Sequence, residues 1–594
     1  MTLGIWDWIV IAAYGVAALG IGFAFMRRAG RTVEEYFLGG RRLAWYVLGI
    51  SLVATTFAAD TPLAVTEFVR TDGIWGNWFW WIWAVSHALA VFLFSRLWRR
   101  AEVMTDAEFI ELRYSGRPAV VLRATKAGIM GVFFNLLVLG WVTQAMGTIL
   151  AETMGVSKGL ALVSCGLVAV AYTTGAGFIG VVVSDLLQFV VALAGAIVFA
   201  VFAVIHAGGL HAVLQAGADL DKLTMMPTLS LRDRDSIRFV ILLAFGWFAT
   251  HNADAGGYMM QRLSAARNER HAVGASIVFL VGHYVVRVWP WILVALASLV
   301  LLPPSQWHDN KAAYPHLIAM VLPAGLRGLM VASLLAAFMS TVDTHLNWGA
   351  SYLVRDFYQR FFAPNASEKR LVLAARVASV GLASLAVVAS VWIDSIKAAW
   401  GLLYSMGAGM GPVLILRWFW WRVTAVAELV ALGLSIPLGI VLSFADWPYE
   451  YRIALVSCIS LAATVAVSLW GKSEPLSVLQ RFANQVRPGG WWGPVSGRYE
   501  DRVLRWGTVV DVLALILVTY GLSLGLGKAL FFEYGQAAIL FGAAAVGGAI
   551  LWLRYRGRRS DSSEDQHDPG SGKRQSSVVS SSVSDASSSS ASPR

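Results

Sequence analysis

Long apolar runs separated by short charged segments recur along almost the whole chain. About 20 apolar residues in a helix are enough to cross the ~30 Å hydrocarbon core of a bilayer. The 594 residues are 57% hydrophobic and only 14% charged, which leaves too few polar side chains to cover a soluble protein of this size. Because the runs are continuously apolar rather than alternating, they predict helices and not the strands of a membrane barrel.

We therefore predict an all-α polytopic membrane protein with about fifteen transmembrane helices. The predicted spans lie near residues 6–26, 43–69, 74–97, 119–150, 159–177, 180–206, 237–257, 275–302, 326–346, 370–393, 397–417, 424–444, 452–470, 508–527 and 535–554.

The distribution of basic residues predicts the orientation of these spans. Residues 1–7 contain no Lys or Arg, whereas Arg27, Arg28 and Arg31 follow the first span. The positive-inside rule then places the N-terminus outside, and an odd number of spans places the C-terminus in the cytoplasm. The net charge of +11 follows from this loop pattern, so we predict a cell (inner) membrane protein without a nucleic-acid partner.

Two predicted spans are interrupted by polar and helix-breaking residues. In "SLVATTFAADTPLAV" (51–65) these are Asp60 and Pro62, and in "FATHNADAGGYMM" (248–260) they are Asn252, Asp254 and a pair of glycines. Unwound backbone at membrane depth is tolerated where it is buried in protein or lines a cavity. The breaks lie five spans apart, which predicts two inverted five-helix repeats, each opening with a broken helix, as in secondary transporters. The alternative is that both helices are merely kinked.

The predicted spans and breaks divide the chain into units. These are an N-terminal helix and loop (1–42), a first inverted repeat (43–206), a second inverted repeat (237–417), additional C-terminal helices (418–555) that include a cytoplasmic linker (472–505), and a disordered Ser-rich cytoplasmic tail (556–594).

Two further spans carry buried polar groups. In "AAFMSTVDTHLN" (336–347) the helical spacing puts Ser340, Thr341 and Thr344 on one face, with Asp343 beside them. Hydroxyls of this kind also act as contacts between helices, but an ionisable group inside a span is costly and usually functional. Asp185 stands among aliphatic residues with no basic residue in its own span, so either a bound cation or a proton would neutralise it.

Several segments together resemble the sodium:solute symporter family. They are "EEYFLGGRRLAWYVLGISLVAT" (34–55), "TDAEFIELRYS" (105–115), "GFIGVVVSDLLQ" (177–188), "GYMMQRLSAARNERHA" (257–272) and "GLMVASLLAAFMSTVDTHLNWGASYLVRDFY" (328–358). The resemblance implies a LeuT-type fold with a five-plus-five inverted repeat. It also implies sodium-driven uptake of a small organic solute by alternating access, with Na⁺ as the coupling ion and no enzymatic cofactor.

The resemblance also implies the residues that bind sodium. The family's main site would use the backbone carbonyls of Ala54, Phe57 and Ala337 and the hydroxyls of Ser340 and Thr341. A second cation, present in some members, would take the following ligands: Asp185, Ser340, Asp343 and Thr344. Several members have Ser where this chain has Asp343.

The residues expected to contact a solute differ from those of the family's sugar transporters. Trp80 stands where the sugar branch has an acidic residue, and "HNADAGG" (251–257) replaces its Asn-Gln pair. A wall of tryptophans around Trp80 would bind an apolar or cationic solute by stacking, or would face lipid as an aromatic belt. The predicted solute contacts are Asp60, Thr61, Trp80, Asn252 and Asp254.

Three alternative functions remain open from the residues. A proton-coupled transporter would use Asp185 or Asp343 as its carrier, and a membrane sensor would bind the solute without moving it. An intramembrane enzyme is disfavoured, because the chain lacks an H-E-x-x-H zinc motif and His206 and His211 lie at a membrane edge. We therefore predict a transporter and not an enzyme.

Overall fold

Helices form almost all of the regular structure in the computed structural model, which describes residues 3–29, 32–227, 232–393, 395–493, 495 and 502–556. Within these ranges the β-type pairing consists of isolated bridges, such as Leu43 with Ala266. The all-α prediction is confirmed. The predicted tail beyond residue 556 lies outside the described residues, as do residues 494 and 496–501 of the predicted linker.

We number the long helices and those that form the site in chain order. They are α1 (Ile5–Ala29), α2 (Trp45–Thr56), α3 (Asp60–Asp72), α4 (Ile74–Ala101), α5 (Gly116–Met154), α6 (Lys158–His206), α7 (Arg234–Ile241), α8 (Tyr258–Ala265), α9 (Glu269–Leu301), α10 (Leu326–Phe362), α11 (Glu368–Ser390), α12 (Ile396–Gly407), α13 (Met410–Phe419), α14 (Ala425–Ser443), α15 (Tyr449–Trp470), α16 (Trp506–Leu530) and α17 (Tyr534–Arg556).

The described helices support many membrane spans. Among the described residues, 11 helices are long and apolar enough to cross a membrane, or up to 13 if the bent pairs α2–α3 and α12–α13 each form one span. The count of fifteen is therefore not confirmed. The two predicted spans outside this set are 159–177, which begins the long helix α6, and 237–257, which divides into α7, an irregular stretch and the approach to α8.

Helix α6 bends where two predicted spans meet. It contains 49 residues, and at 1.5 Å per residue it would extend about 74 Å, more than twice the ~30 Å needed for one crossing. Gly177, with φ 56° and ψ −177°, interrupts the helical backbone at the boundary between predicted spans 159–177 and 180–206. A positive φ favours glycine, which explains why the break falls at this residue.

Burial distinguishes the centre of the bundle from its edge. In α10, 89% of the most apolar window is buried, compared with 17% in α17. Helix α10 packs against α6, α1, α5 and α11, whereas α17 packs chiefly on α16. A helix buried on all sides belongs inside a bundle, and an apolar helix exposed on most sides belongs against lipid. The polar residues of α10 therefore lie inside the protein.

Candidate functional site

The first predicted helix break is present and lies in the protein interior. Helix α2 ends at Thr56 and α3 begins at Asp60, with a bend of 56° between them. Pro62 sits in the first turn of α3, where its missing N–H would have no intrahelical partner. The last carbonyls of α2 lack the usual partner four residues on, although Ala54 O accepts from the N–H of Phe57, and their remaining lone pairs are free for the neighbouring helix.

Hydroxyls of α10 donate to those carbonyls. Ser340 Oγ donates to Ala54 O at 2.8 Å and to Ala337 O at 3.1 Å. Thr341 Oγ1 donates to Thr55 O at 2.8 Å and also to Ala337 O at 3.1 Å. Four of the five predicted sodium ligands thus lie together in the interior, and the carbonyl of Thr55 joins them. Oxygen atoms of this kind suit a hard monovalent cation.

Phe57 is the one predicted sodium ligand that is not hydrogen-bonded to the hydroxyls of Ser340 and Thr341. Its N–H donates to Ala54 O at 2.9 Å, and its ring packs against Trp291 with centroids 4.7 Å apart. Among the described residues, no hydrogen bond joins Phe57 to Ser340 or Thr341. The role of its carbonyl stays a prediction.

Asp185 has a basic partner that the sequence analysis missed. Arg262 of α8 lies 3.7 Å from Asp185 Oδ2, and both side chains are completely buried. Ser51 Oγ donates to the same carboxylate at 2.5 Å. A guanidinium from another helix therefore lies beside Asp185, and the binding of a cation or a proton by this carboxylate stays a prediction.

Arg262 also contacts a second predicted cation ligand. It donates to Thr344 Oγ1 at 2.5 Å and to Thr55 Oγ1 at 3.3 Å, and these two hydroxyls lie 2.9 Å apart. Asp343 is fully buried and within electrostatic reach of Arg262. A second cation at these ligands stays a prediction, and it would have to share their oxygens with the guanidinium.

A cavity of about 150 Å³ lies beside the first break. Four of the five predicted solute contacts line it: Asp60, Thr61, Trp80 and Asn252. Thr55 and Thr341 also line it, so the cavity adjoins the oxygens described above. The structure therefore places the predicted solute and sodium sites next to each other.

Asp254 is the exception and does not line this cavity. Its carboxylate lies 2.7 Å from Arg417 and accepts from Trp418 Nε1 at 2.8 Å, and all three side chains are buried. Arg417 in turn contacts Glu428 at 3.0 Å. The prediction that Asp254 contacts the solute is corrected, because its charge is already neutralised within this network.

The tryptophan wall is an internal feature. Trp78, Trp80 and Trp81 are buried, and their burial argues against the lipid-facing alternative. Trp80 and Trp83 line the cavity, and Trp80 Nε1 donates to Asn77 Oδ1 at 3.1 Å. More distant aromatic residues complete the lining: Phe134, Trp141, Tyr258, Trp348, Trp400 and Tyr404. The sequence carries no signal for these, because an aromatic residue in an apolar span is ordinarily a packing residue.

One charged residue and four histidines that were not predicted from the sequence also line the cavity. Arg287 of α9 lines the cavity, together with His87, His251, His283 and His345. Arg287 Nη2 lies 2.7 Å from His283 Nδ1, four residues earlier in the same helix. An Arg inside an otherwise apolar span was the available signal, since such residues face the interior of a bundle.

One hydrolase-like sequence pattern has a structural explanation. Residues 155–159 match G-x-S-x-G. Ser157 caps the start of α6, and its hydroxyl accepts from the N–H of Leu160 at 3.4 Å. A nucleophile elbow requires a strand before the serine, whereas here α5 ends at Met154.

A family model matches residues 36–433, about two thirds of the chain, and it describes the sodium:solute symporter family. The chain belongs to that family. The chain is 25% identical over 502 residues to sodium/glucose cotransporter 4 of Danio rerio, covering 75% of this chain and 73% of the relative. It is also 23% identical over 470 residues to the sodium/glucose cotransporter of Vibrio parahaemolyticus, covering 74% and 85% respectively.

Other similarities agree with this assignment. Sodium/myo-inositol cotransporter 2 of Rattus norvegicus is 25% identical over 491 residues, covering 75% of this chain and 70% of the relative. The solved structure of a Na⁺-coupled sialic acid symporter superimposes with a TM-score of 0.69 at 20% identity, covering 79% of this chain and 99% of that chain. The fold is therefore LeuT-like, and the relatives are membrane transporters rather than enzymes.

Proposed function

We propose that this protein imports a small organic solute by coupling its movement to that of Na⁺. The observation that supports this most strongly is the cluster of oxygens where α2 ends against α10. The carbonyls of Ala54 and Ala337 and the hydroxyls of Ser340 and Thr341 would ligate one dehydrated sodium ion. Phe57 would add its carbonyl as the fifth ligand.

Sodium would bind in place of the hydrogen bonds that join α2 and α10. Each hydroxyl now donates its proton to a carbonyl, and a bound cation requires it to turn that proton away and present a lone pair. The ion would then hold the two helices together through four or five oxygens. Loss of the ion on the cytoplasmic side would weaken this contact and let α10 separate from α2.

Coupling follows from residues shared between the ion and the solute. Thr341 belongs to the proposed sodium site and also lines the cavity, and Thr55 lines the cavity beside it. An ion that orders Thr55 and Thr341 favours binding of a solute in the cavity beside them, and the effect is reciprocal. Sodium binding would thus form the solute site. Its electrochemical gradient, worth ~2.3 kcal/mol per charge per 100 mV plus the concentration term, would drive accumulation.

The transport cycle would follow the inverted-repeat arrangement predicted from the sequence. Residues 43–206 and 237–417 would form the two repeats, and the cavity lies between residues of both. Alternating access would open this cavity first to the outside and then to the cytoplasm. We place the N-terminus outside and the C-terminus in the cytoplasm of the cell membrane, as the basic loops indicate.

Proton coupling is the second candidate function. Asp185 and Asp343 are the two candidate proton carriers, and both are fully buried. Asp185 lies beside Arg262 and Ser51, and Asp343 lies in the same helix as Ser340. Replacing Na⁺ by choline at fixed pH separates the two mechanisms, because only a proton-coupled carrier retains its uptake.

Uptake into proteoliposomes under an inward sodium gradient tests the proposal directly. We expect Ser340→Ala and Thr341→Ala each to raise the Na⁺ concentration for half-maximal uptake about tenfold, the equivalent of ~1.4 kcal/mol. Ser333→Ala is the matched control: its hydroxyl lies on the same helix and donates to Val191 O at 2.8 Å, away from the site. Unchanged sodium dependence in Thr341→Ala would show that the site is misassigned. Solute binding without uptake would indicate a sensor instead.

A further inference from the structure

We infer that the solute is a zwitterion of the amino-acid class, with an ammonium group, a carboxylate and an uncharged side chain. The inference rests on the proposed function, because it assigns the cavity beside the sodium site to the solute. It comes from two buried charges of opposite sign, Asp60 and Arg287, that line this cavity.

Asp60 presents a carboxylate that is only half satisfied. The residue is 1% exposed, and Oδ2 accepts from Trp400 Nε1 at 3.0 Å. Oδ1 has no hydrogen-bond partner among the described residues. Because Asp60 stands in the first turn of α3, its negative charge also satisfies the positive end of that helix, which leaves no site there for an anion. The open oxygen therefore favours a cationic donor.

Arg287 presents a positive charge that is likewise buried and only partly hydrogen-bonded. The residue is 1% exposed, and its guanidinium lies 5.2 Å from the ring centroid of Trp291 and 5.7 Å from that of Phe57. Its Nη2 contacts the neutral acceptor His283, while Nη1 has no hydrogen-bond partner among the described residues. This open donor favours an anion, and a guanidinium matches the geometry of a carboxylate.

Neither Asp60 nor Arg287 forms an ion pair with the described part of the protein, in contrast to the buried carboxylates of Asp185 and Asp254. Asp185 pairs with Arg262 and Asp254 pairs with Arg417. Within the described residues, no ion pair of 4.0 Å or less involves Asp60 or Arg287. Asp60 and Arg287 are also the only Asp, Glu, Lys or Arg residues in the described lining of the cavity. The cavity thus holds one unpaired charge of each sign.

A solute with both charges supplies a counter-charge to each member of this pair. A sugar or polyol would bring dipoles alone, and a singly charged solute would leave one buried charge without a counter-ion. The cavity of about 150 Å³ has room for roughly ten waters, at 10–15 Å³ of such volume for each, which limits the solute to about that many non-hydrogen atoms. Its aromatic walls suit an apolar side chain and an ammonium group.

Ligand-induced thermal stabilisation of the purified protein in 150 mM NaCl (~0.15 M) tests the inference. The probes are the twenty amino acids and glycine betaine, compared with D-glucose and myo-inositol. We expect at least one zwitterion with an uncharged side chain to raise the melting temperature, and its methyl ester and its N-acetyl derivative each to bind at least tenfold more weakly. Stabilisation by D-glucose or myo-inositol alone, or by no zwitterion, would overturn the inference.

Two single substitutions test which buried charge contacts the ammonium group of the solute and which contacts its carboxylate. Asp60→Asn should abolish the preference for the zwitterion over its N-acetyl derivative, and Arg287→Gln should abolish the preference over the methyl ester. Asp72→Asn, at the end of the same helix α3 and paired with Lys397 at 3.0 Å, should keep both preferences. Equal loss of both preferences in Asp60→Asn and Arg287→Gln would contradict the assignment.

The experiment separates this inference from the proposed function. Sodium-dependent uptake of a sugar would leave the symport proposal intact and overturn the zwitterion. Zwitterion binding and uptake that are indifferent to replacement of Na⁺ by choline would keep the substrate class and overturn sodium coupling.

Discussion

Two buried carboxylates in this molecule differ in whether an arginine lies beside them. Oδ2 of Asp185 lies 3.7 Å from the guanidinium of Arg262 and accepts from the hydroxyl of Ser51, while its Oδ1 has no hydrogen-bond partner among the described residues. Asp60, equally buried, has an indole on one oxygen and no protein partner, among the described residues, on the other. Burial alone therefore does not identify a ligand site. The degree to which the protein itself satisfies the charge is what distinguishes the two.

The region around Asp185 and the region around Asp60 therefore have different roles. The cluster of Asp185, Arg262, Ser51, Thr55 and Thr344 joins α6, α8, α2 and α10, and it holds the helices that carry the sodium ligands. The cavity around Asp60 is held open by neutral aromatic residues. Removing a charge from the first region should mainly affect stability, whereas removing one from the second should mainly affect binding.

The largest effect is expected from Arg262→Gln. It leaves the carboxylate of Asp185 buried without a counter-charge, and breaking a buried pair in this way costs about 3–5 kcal/mol. Thermal or denaturant unfolding in detergent measures the loss. Lys397→Gln is the control, because its ion pair with Asp72 is partly exposed and is worth no more than ~1 kcal/mol. Equal stability of the two variants would contradict the closed cluster at Asp185.

A smaller effect is expected from Ser51→Ala. The hydroxyl donates to Asp185 and accepts from Arg262 Nε at 3.3 Å, and hydrogen bonds to charged groups contribute about 1.5–3 kcal/mol. The same unfolding measurement should show a loss in that range. In an Arg262→Gln background the loss should differ from that in the wild type by more than ~0.5 kcal/mol, since contacting residues are not additive. Strict additivity would show that Ser51 acts independently.

The smallest effect on stability is expected from Asp60→Asn. The substitution removes a buried charge that lacks an ionic partner in the described protein, so the free energy of unfolding should stay within ~1 kcal/mol of the wild type. Binding of the zwitterion should nevertheless fall. A loss of stability as large as that of Arg262→Gln would show that Asp60 is a structural residue, and it would remove the contrast between the two regions.

The sequence was sufficient to predict features that are local along the chain. The break at Asp60 and Pro62, the boundary between spans near residue 177 and the polar face of α10 all follow from nearby residues. The meeting of Ala54 with Ser340 came from the family resemblance, and the structure places these residues 2.8 Å apart.

The features that were missed depend on contacts between distant parts of the chain. Arg262 neutralises Asp185 from a different helix, and Arg417 neutralises Asp254 across 163 positions. Neither pairing has a signature in the spacing of residues. The aromatic residues of the cavity also have no recognisable sequence pattern, because Trp141 and Trp400 each look like packing residues in their own helices.

Sodium-dependent stabilisation tests the central claim most directly. A ligand that binds only the folded state stabilises it by RT ln(1 + [L]/Kd), about 2.7 kcal/mol at 100 times its Kd. Titrating NaCl against choline chloride at constant ionic strength should stabilise the wild type and Ser333→Ala alike. The double variant Ser340→Ala/Thr341→Ala should need at least tenfold more Na⁺ for the same stabilisation. If the double variant titrates like the wild type, sodium does not bind where α2 meets α10.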